Sequence, residues 1–548
     1  MDTHRRWTVW LRWLYVHNPF YVLSAGLMFY GLYVAFHAEG TAAARPEQLL
    51  LALSGYKVVM AITAFLVIKL GRVWEDARSM VLIVLVQFAA MSMGVDELCS
   101  TSPQSAHSLL LFGLGLSILV TEALLWGLSI KLPSLFRVPY HLLLVLFFTY
   151  PLIVAPRRLF HTDFPRSWRI YLFLVLVGLV FLLLIPAVRR GAAYVAKNGT
   201  PWAWPWFPLS AFGLLAVAAG VRSFVLTYNF HLVGAGIAFG TYYLAPLLLA
   251  LLFLVAELAA GGRHRRVQAV LVSAAPLLAV LSTSQGGNEI YLRFLRTFTE
   301  TVGSPLWLAI LGLVGFYAYA WRKRFPGAEF GLMLTMALLA WVGHETTGWE
   351  SRTAVQWWPW LVIGLLQVAQ AIERRSSLRS ALAAACLVAA PTVAWQDTPF
   401  LMLGGAVPWH LLWGSWLLIG LVFRDRFAAV LQRIGLGVAI AMAVVASSLD
   451  IEALSAPVRC GYPAALAVIA GGCWLATTDR WWLCAAAAHV AGLIVAGLRL
   501  SREALIPAVG SQAIGPLSWG AACFLVAVLI SAWKAGFWCW LRTRLGPR

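Results

Sequence analysis

The run LLLALSGYKVVMAITAFLVIKL, residues 49–70, decides the fold class of this chain. A helix of about 20 mainly apolar residues is long enough to cross the hydrocarbon core of a bilayer. Lys57 interrupts the run, and a charge inside hydrocarbon is costly unless it meets a partner or a water-filled cavity. The stretch therefore predicts a transmembrane helix and makes the surroundings of Lys57 the first candidate for a functional site.

The composition of the whole chain is that of a multi-pass membrane protein. Its 548 residues are 61% hydrophobic and 11% charged, with a mean hydropathy of +0.80, whereas soluble proteins carry about 25% charged residues. We expect an all-α, polytopic transmembrane helical bundle of about 18 spans with no soluble domain. Residues 1–17 are a basic N-terminal tail, 18–541 a single membrane domain and 542–548 a C-terminal tail.

Hydropathy places the cores of these spans along the chain, mostly with short connections. The expected cores are 18–36, 49–70, 79–95, 108–130, 140–156, 168–188, 207–227, 233–260, 266–283, 303–321, 329–343, 354–372, 378–395, 408–423, 427–448, 460–477, 481–498 and 517–541.

Basic residues set the predicted orientation. The formal net charge is +19, but Lys and Arg mostly flank the apolar runs, which favours contact with anionic head groups over nucleic acid. Counting them predicts that both termini are cytoplasmic. The short segment 140–156 contains Pro151 and precedes a basic turn predicted to lie outside. If that segment is re-entrant, the chain has 17 spans and everything upstream of it is inverted.

Charged residues inside spans are the first group of candidate site residues. Lys57 and Glu122 have opposite charges in nearby predicted spans, and Arg222 lies in another. We expect Lys57 and Glu122 to form a buried ion pair. The pair could serve as a proton or ion relay or contact a substrate, or it could be structural and fix the helix register.

Two stretches on the predicted outer side could bind phosphate or another anion. Arg293 and Arg296 lie on the polar face of a predicted amphipathic helix within 285–305, where they could hold a lipid-linked phosphate or simply pair with neighbouring carboxylates. Arg157 and Arg158 lie in the basic turn that follows 140–156. Outside, they would form an anion-binding patch; inside, they would be an ordinary positive-inside loop.

Carboxylates and cysteines at the outer span ends complete the candidates. Asp96, Glu97, His344 and Glu345 are weak catalytic candidates, since loops normally carry charges. Cys99 and Cys460 fall in predicted outer loops, where an oxidising compartment would permit a disulfide. The spacing of Cys and His suits no metal, and no motif calls for a cofactor.

Two functions are compatible with these features, together with a non-catalytic alternative. Many spans, short loops and a buried charge favour transport or flipping of an anionic or lipid-linked substrate in the cytoplasmic (inner) membrane. The outer arginines and carboxylates would suit a glycosyltransferase or polymerase that acts on lipid-linked glycans. A structural subunit of a membrane complex is the third possibility. The sequence leaves open whether the protein is an enzyme, and it predicts membrane lipids as partners without naming a protein partner.

Labelling of the 157–166 turn distinguishes the two topologies. In the 18-span topology, a cysteine introduced as Thr162→Cys reacts with a membrane-impermeant maleimide added to intact spheroplasts. The unsubstituted chain, treated in the same way, gives the background from the native cysteines. Reaction of Thr162→Cys only after the membrane is permeabilised would establish the inverted arrangement of 17 spans instead.

Overall fold

A computed structural model of the chain describes residues 23–28, 30–31, 46–72, 74–155, 166–231, 240–262, 264–283, 289–346, 355–394, 406–448 and 456–509, with 520, 523, 524 and 527. Within these ranges every regular element is helical and no strand occurs. The all-α fold class is confirmed.

Twenty α-helices follow one another in the described residues between 46 and 509, and a 3₁₀ turn at Thr241–Leu244 precedes the ninth. The first ten are α1 Pro46–Lys69, α2 Trp74–Met93, α3 Asp96–Thr101, α4 Pro103–Gly127, α5 Ser134–Val154, α6 Arg166–Leu182, α7 Ile185–Tyr194, α8 Trp206–His231, α9 Ala245–Gly261 and α10 Arg265–Ala274. The others are α11 Leu277–Leu281, α12 Glu289–Val302, α13 Pro305–Arg322, α14 Ala328–Trp341, α15 Trp358–Arg374, α16 Ser377–Ala394, α17 Ala406–Val422, α18 Arg426–Ser448, α19 Ala456–Thr477 and α20 Arg480–Val509.

Ten helical segments of the described residues are long and apolar enough to cross a membrane, and α12 with α13, bent by 47°, would make an eleventh. This supports a multi-pass membrane protein but does not confirm about 18 spans. Residues 140–154 of the predicted span 140–156 belong to α5, which begins at Ser134 and has 21 residues, so its length suffices for a full span.

Several predicted spans are shorter or more interrupted than hydropathy suggested. The apolar part of α2 covers only Met80–Met93, because charged residues occupy its first turns. The span expected at 266–283 is two short helices, α10 and α11, separated at Ala275–Pro276. The predicted spans 18–36 and 517–541 lie largely outside the described residues.

The chain divides into two compact units, residues 1–355 and 356–548. Such contact units do not define membrane boundaries, so the single membrane domain at 18–541 stays a prediction. In the first unit α5 is the central helix, with buried side chains that include Phe136, Leu144 and Phe148. A Cβ placed on Gly113 of α4 would lie 2.7 Å from the Phe148 ring, so glycine lets α4 approach α5 closely.

The second unit has its own core, in which small residues surround two tryptophans. Trp413 and Trp482 pack with alanines of α18, α19 and α20, and Trp413 donates a hydrogen bond from Nε1 to the Gly435 carbonyl at 2.9 Å. Between α17 and α18, Asp425 accepts hydrogen bonds from Ser377 Oγ at 2.5 Å, Ser377 N at 3.2 Å and Ala428 N at 2.8 Å. Asp425 therefore holds the first turns of α16 and α18 together.

The hydrogen bonds to Asp425 predict a pH-dependent contribution to stability. The Ser377 hydroxyl and then the Ala428 amide hold the pKa of Asp425 below its ordinary value. Because the folded-state pKa is the lower one, the stabilisation is complete above about pH 4 and is lost as pH falls through the folded-state pKa. We expect Asp425→Ala to lower the Tm of the detergent-purified chain at pH 7, and this difference to shrink towards pH 3.

Asp425→Asn is the matched control for this experiment, since its amide oxygen still accepts a hydrogen bond but cannot titrate near pH 4. Its Tm difference from Asp425→Ala should not change between pH 7 and pH 3. A Tm difference between the original chain and Asp425→Ala that stays constant over this range would contradict the assignment.

Candidate functional site

Lys57 is fully buried in the first unit, at the contact of α1, α2 and α4. Its Nζ donates a hydrogen bond to Ser117 Oγ at 2.9 Å and lies 4.3 Å from the centre of the Phe88 ring. Ser117 Oγ can accept this bond because its own proton goes to the Gly113 carbonyl, at 2.6 Å. Within the described ranges, no carboxylate lies at ion-pair distance from Lys57.

The predicted ion pair of Lys57 with Glu122 is wrong. Glu122 of α4 instead accepts hydrogen bonds from Arg137 of α5, at 2.9 Å from Nε and at a closer approach from Nη2. It also lies 3.1 Å from His141 Nε2. Glu122 lies five positions after Ser117 in α4. At about 100° per residue, the two side chains point about 140° apart around the helix. The two residues therefore belong to different faces of α4.

The buried ion pair of the first unit is formed by Asp96 and Arg222, both fully inaccessible. Arg222 of α8 donates from Nη1 to Asp96 Oδ2 at 2.5 Å and from Nη2 to Oδ1 at 2.7 Å, the fork geometry of a strong arginine–carboxylate pair. Nη2 also reaches the Ser92 carbonyl at 3.2 Å, and Asn229 donates to Asp96 Oδ2 at 3.2 Å. The sequence indicated both residues as candidates but did not predict that they pair.

Buried polar atoms without a hydrogen-bond partner accompany these charges. They are Ser54 Oγ, one turn from Lys57; both amide atoms of Gln87, next to Phe88; Arg222 Nε; and Ser223 Oγ. Within the described part of the chain no donor or acceptor reaches them. Most buried polar groups in proteins are paired, and exceptions concentrate where a polar ligand binds or where strain is stored. The interior of α1, α2 and α8 thus offers spare donors and acceptors beside its charged residues.

A partly open, mainly apolar cavity of about 130 Å³ adjoins this region. Phe88 lines it and also contacts Lys57, so one aromatic side chain forms part of both environments. The polar residues of its wall include Ser210 and the pair Thr121 and Tyr140, whose hydroxyls lie 2.8 Å apart. Lys57, Ser117 and Phe88 with the cavity constitute the candidate site, in which the Phe88 ring contacts the lysine and also lines the apolar space.

The predicted amphipathic helix is present as α12, Glu289–Val302. Phe294, Leu295 and Phe298 are buried, whereas Arg293 and Arg296 are exposed on the opposite face. Aromatic contacts fix its apolar face: the ring of Trp168 lies 5.0 Å from Phe298 and 5.7 Å from Phe294. The helical periodicity of the sequence therefore gave the correct faces, and whether it lies at an outer membrane surface stays a prediction.

The catalytic candidates after α14 form an exposed pair. His344 Nε2 lies 3.3 Å from Glu345 Oε1, and the side chains are 61% and 69% accessible. The Ser304 amide donates a hydrogen bond to the His344 carbonyl at 2.6 Å, which joins this turn to the chain that leaves α12. These residues are near the end of α12 but in an open setting.

Other predicted site residues are separate from these clusters or lie outside the described residues. The predicted disulfide is not present, since neither Cys99 nor Cys460 is disulfide-bonded. Cys99 is fully buried, and its Sγ lies 3.5 Å from the Val95 carbonyl. Arg157 and Arg158 lie outside the described residues, as does the side chain of Glu97.

One buried carboxylate escaped the sequence analysis. Glu257 of α9 is 5% accessible and lies 3.1 Å from both Arg189 Nε and Lys323 Nζ. It joins α7, α9 and α13 at one end of the first unit. The sequence does indicate this residue, because Glu257 is the single charged residue in an otherwise apolar run at 245–262.

The Asp96–Arg222 pair predicts a large, non-additive effect of mutation. Arg222→Met leaves the buried Asp96 carboxylate without its charged partner, so we expect a loss of about 3–5 kcal/mol in unfolding free energy. The double variant Asp96→Asn/Arg222→Met removes both charges and should recover much of that loss. Thermal unfolding of the detergent-purified chain measures each effect. Additive losses in the double variant would show that the two residues do not interact.

No family model matches the chain, and comparison with curated proteins and with solved structures gives no match. Function must therefore be inferred from the physical chemistry of the site.

Proposed function

We propose that this protein transports or flips an anionic or lipid-linked substrate, with Lys57 as the residue that binds the negative charge. In this proposal the chain is a multi-pass protein of the cytoplasmic (inner) membrane with about 18 spans and both termini cytoplasmic. One observation carries the proposal: a fully buried lysine whose direct contacts are a neutral hydroxyl and an aromatic ring.

The energetics of Lys57 support an anionic ligand. A lysine at the centre of a membrane helix costs about 2.5–3.5 kcal/mol even on the lowest scales. A hydrogen bond to a neutral hydroxyl returns about 1 kcal/mol, and a desolvated cation–π contact about 2 kcal/mol. Together these two contacts offset only the lowest value of the cost of burying the charge. They also leave two hydrogens of the Lys57 ammonium group without an acceptor oxygen among the described residues. A carboxylate or phosphate oxygen would complete the set.

The neighbouring residues suit such a ligand. The hydroxyl of Ser54, one turn from Lys57 on α1, is buried and unpartnered, so it can hydrogen-bond to a polar group near the lysine. The Gln87 amide of α2 is also buried and unpartnered. Phe88 and the adjoining cavity provide an apolar surface for the rest of the molecule. Because Asp96 already neutralises Arg222, the nearby charge that a ligand would balance is that of Lys57. The site thus favours an anion with an apolar part over a cation or a neutral sugar.

A second candidate function is a membrane glycosyltransferase or polymerase that acts on lipid-linked glycans. The observation that favours it is the Ser304–His344 hydrogen bond, which places the exposed pair His344 and Glu345 beside the end of α12. Arg293 and Arg296 on this helix would hold the phosphate, and Glu345 would act as acid or base. The openness of this pair makes it the weaker site, since catalytic carboxylates usually work in a desolvated pocket.

Lys57→Met tests the transport proposal. Methionine is similar in length and apolar, and it leaves no carboxylate unpaired, so the Tm should be maintained or raised. We expect loss of at least about tenfold in the currents evoked by benzoate, acetate or inorganic phosphate in proteoliposomes on a solid-supported membrane, equivalent to roughly 1.4 kcal/mol. Ser117→Ala, which removes the oriented acceptor, should weaken the apparent affinity for the same anion with a smaller effect on the maximum current.

Lys69→Met is the matched control, because Lys69 lies in the last turn of the same helix and is exposed. It should transport like the original chain. Unchanged currents in Lys57→Met, with glycan transfer abolished by Arg293→Gln or Glu345→Gln, would establish the enzyme instead. If none of these variants changes an activity that the original chain shows, both proposed sites are wrong. If the original chain shows neither anion currents nor glycan transfer, both proposals fail and the structural subunit is the remaining alternative.

A further inference from the structure

In the second unit, α15, α16 and α17 line an open groove of about 490 Å³. Its walls come from one face of each helix: Val368 and Ile372 of α15, Ala384 and Val388 of α16, and Ser415 of α17, with Phe423 beyond the end of α17. The spacing of three and four residues along α15 and α16 is that of a continuous helical stripe. Alanine at several wall positions makes room where larger side chains would close the groove.

One end of the groove is basic and the other apolar. Arg375 lines the groove just after the last residue of α15, and Ser380 lies in the first turn of α16. From Ser380 to Val388 the groove follows α16 for roughly 12 Å at the rise of an α-helix. The hydroxyls of Ser380 and Ser415 donate to the backbone carbonyls of Ser376 and Leu411, four residues earlier, at 3.1 and 2.7 Å. The walls therefore expose little hydrogen-bonding capacity.

The basic end is reinforced by a second turn. Asp425 bonds to Ser377 and so holds the α17–α18 turn beside the α15–α16 turn. Together the two turns carry five arginines and two carboxylates, the latter being Glu373 and Asp425. Three hydrogen bonds already engage the Asp425 carboxylate. The surface at this end is therefore cationic, and the arginines are Arg374, Arg375, Arg379, Arg424 and Arg426.

We propose that this groove binds an acidic phospholipid, with one acyl chain along α16 and the phosphate at Arg375. Two features select this occupant. An apolar groove open along α16, which is long and apolar enough to cross a membrane, faces hydrocarbon, and this suits an acyl chain and excludes a polar peptide. Its one cationic end, at a turn between helices, matches a head group that carries net negative charge. The site is independent of Lys57 and of the transport proposal, since it lies in the other unit.

Photocrosslinking tests the inference on the purified full chain in mixed nanodiscs. Phosphatidylglycerol and phosphatidylcholine, each with the same diazirine-bearing acyl chain, are compared by mass spectrometry of the α16 peptide. We expect about fivefold more adduct at Leu387 and Val388 with phosphatidylglycerol, the ratio that corresponds to about 1 kcal/mol of attraction between one arginine and a head group of net negative charge. Equal labelling by the two lipids would overturn the proposal and indicate ordinary lipid contact.

Two pairs of variants separate the head-group site from the chain site. Arg375 has a positive φ of 47°, and asparagine tolerates that conformation better than most residues. Arg375→Asn should therefore abolish the preference for phosphatidylglycerol without unfolding the chain, whereas Arg375→Lys should keep it.

Ala384→Phe fills the groove and should reduce labelling by both lipids. Leu382→Phe enlarges an exposed position of the same helix that does not line the groove, and it should change neither labelling nor preference. The Tm of each variant confirms that it is folded. Labelling that is insensitive to Ala384→Phe, or equally sensitive to Leu382→Phe, would contradict the assignment of the groove.

Discussion

The structure of the first unit depends on how it balances charges removed from water. In a low-dielectric interior an unpaired ion is far more costly than a lost apolar contact. Asp96 and Arg222 satisfy this constraint through a two-pronged pair with further hydrogen bonds, and Glu257 satisfies it through two cations. These pairs fix α3 against α8 and α9 against α7 and α13. Lys57 has a hydroxyl and a ring instead of a carboxylate, which makes it the exception that a ligand could explain.

The apolar residues are arranged as a lipid environment requires. Large hydrophobic side chains are exposed on the outside of the helices, among them Trp126, Leu119 and Val217, whereas α5 is the most buried of the ten candidate spans in the described residues. Because lipid tails are as apolar as these side chains, burial against lipid gives little preference for one helix partner over another. Close packing and polar contacts must then specify the arrangement. The Gly113–Phe148 contact and the Ser117–Lys57 hydrogen bond do so at the same place on α4.

The two units solve the packing problem differently. The first joins its helices through buried charges and a cluster of aromatic rings around Trp168, Tyr171, Tyr243 and α12. In the second, alanine-rich helices pack around Trp413 and Trp482, and a carboxylate in a turn, Asp425, holds two helix ends. Small side chains allow close helix packing where faces match and leave an open groove where they do not. The groove along α16 is a consequence of that composition.

The sequence by itself determined the class of the protein, since composition and hydropathy require helices that face lipid. It also determined the faces of α12, because a period of 3.6 residues assigns Phe294 and Arg293 to opposite sides without knowledge of any neighbour. It did not determine the number of spans, because hydropathy measures how apolar a run is and does not show where its helix breaks. The run 266–283, for example, is interrupted at Ala275–Pro276. Only the tertiary structure decided which charges pair. Lys57 and Glu122 lie in nearby predicted spans and have opposite charges, but whether they pair depends on how each helix is rotated about its axis. The rotation of α4 turns Ser117 towards Lys57 and Glu122 towards Arg137. The packing of α3 against α8 brings Asp96 to Arg222, which follows it by more than a hundred residues.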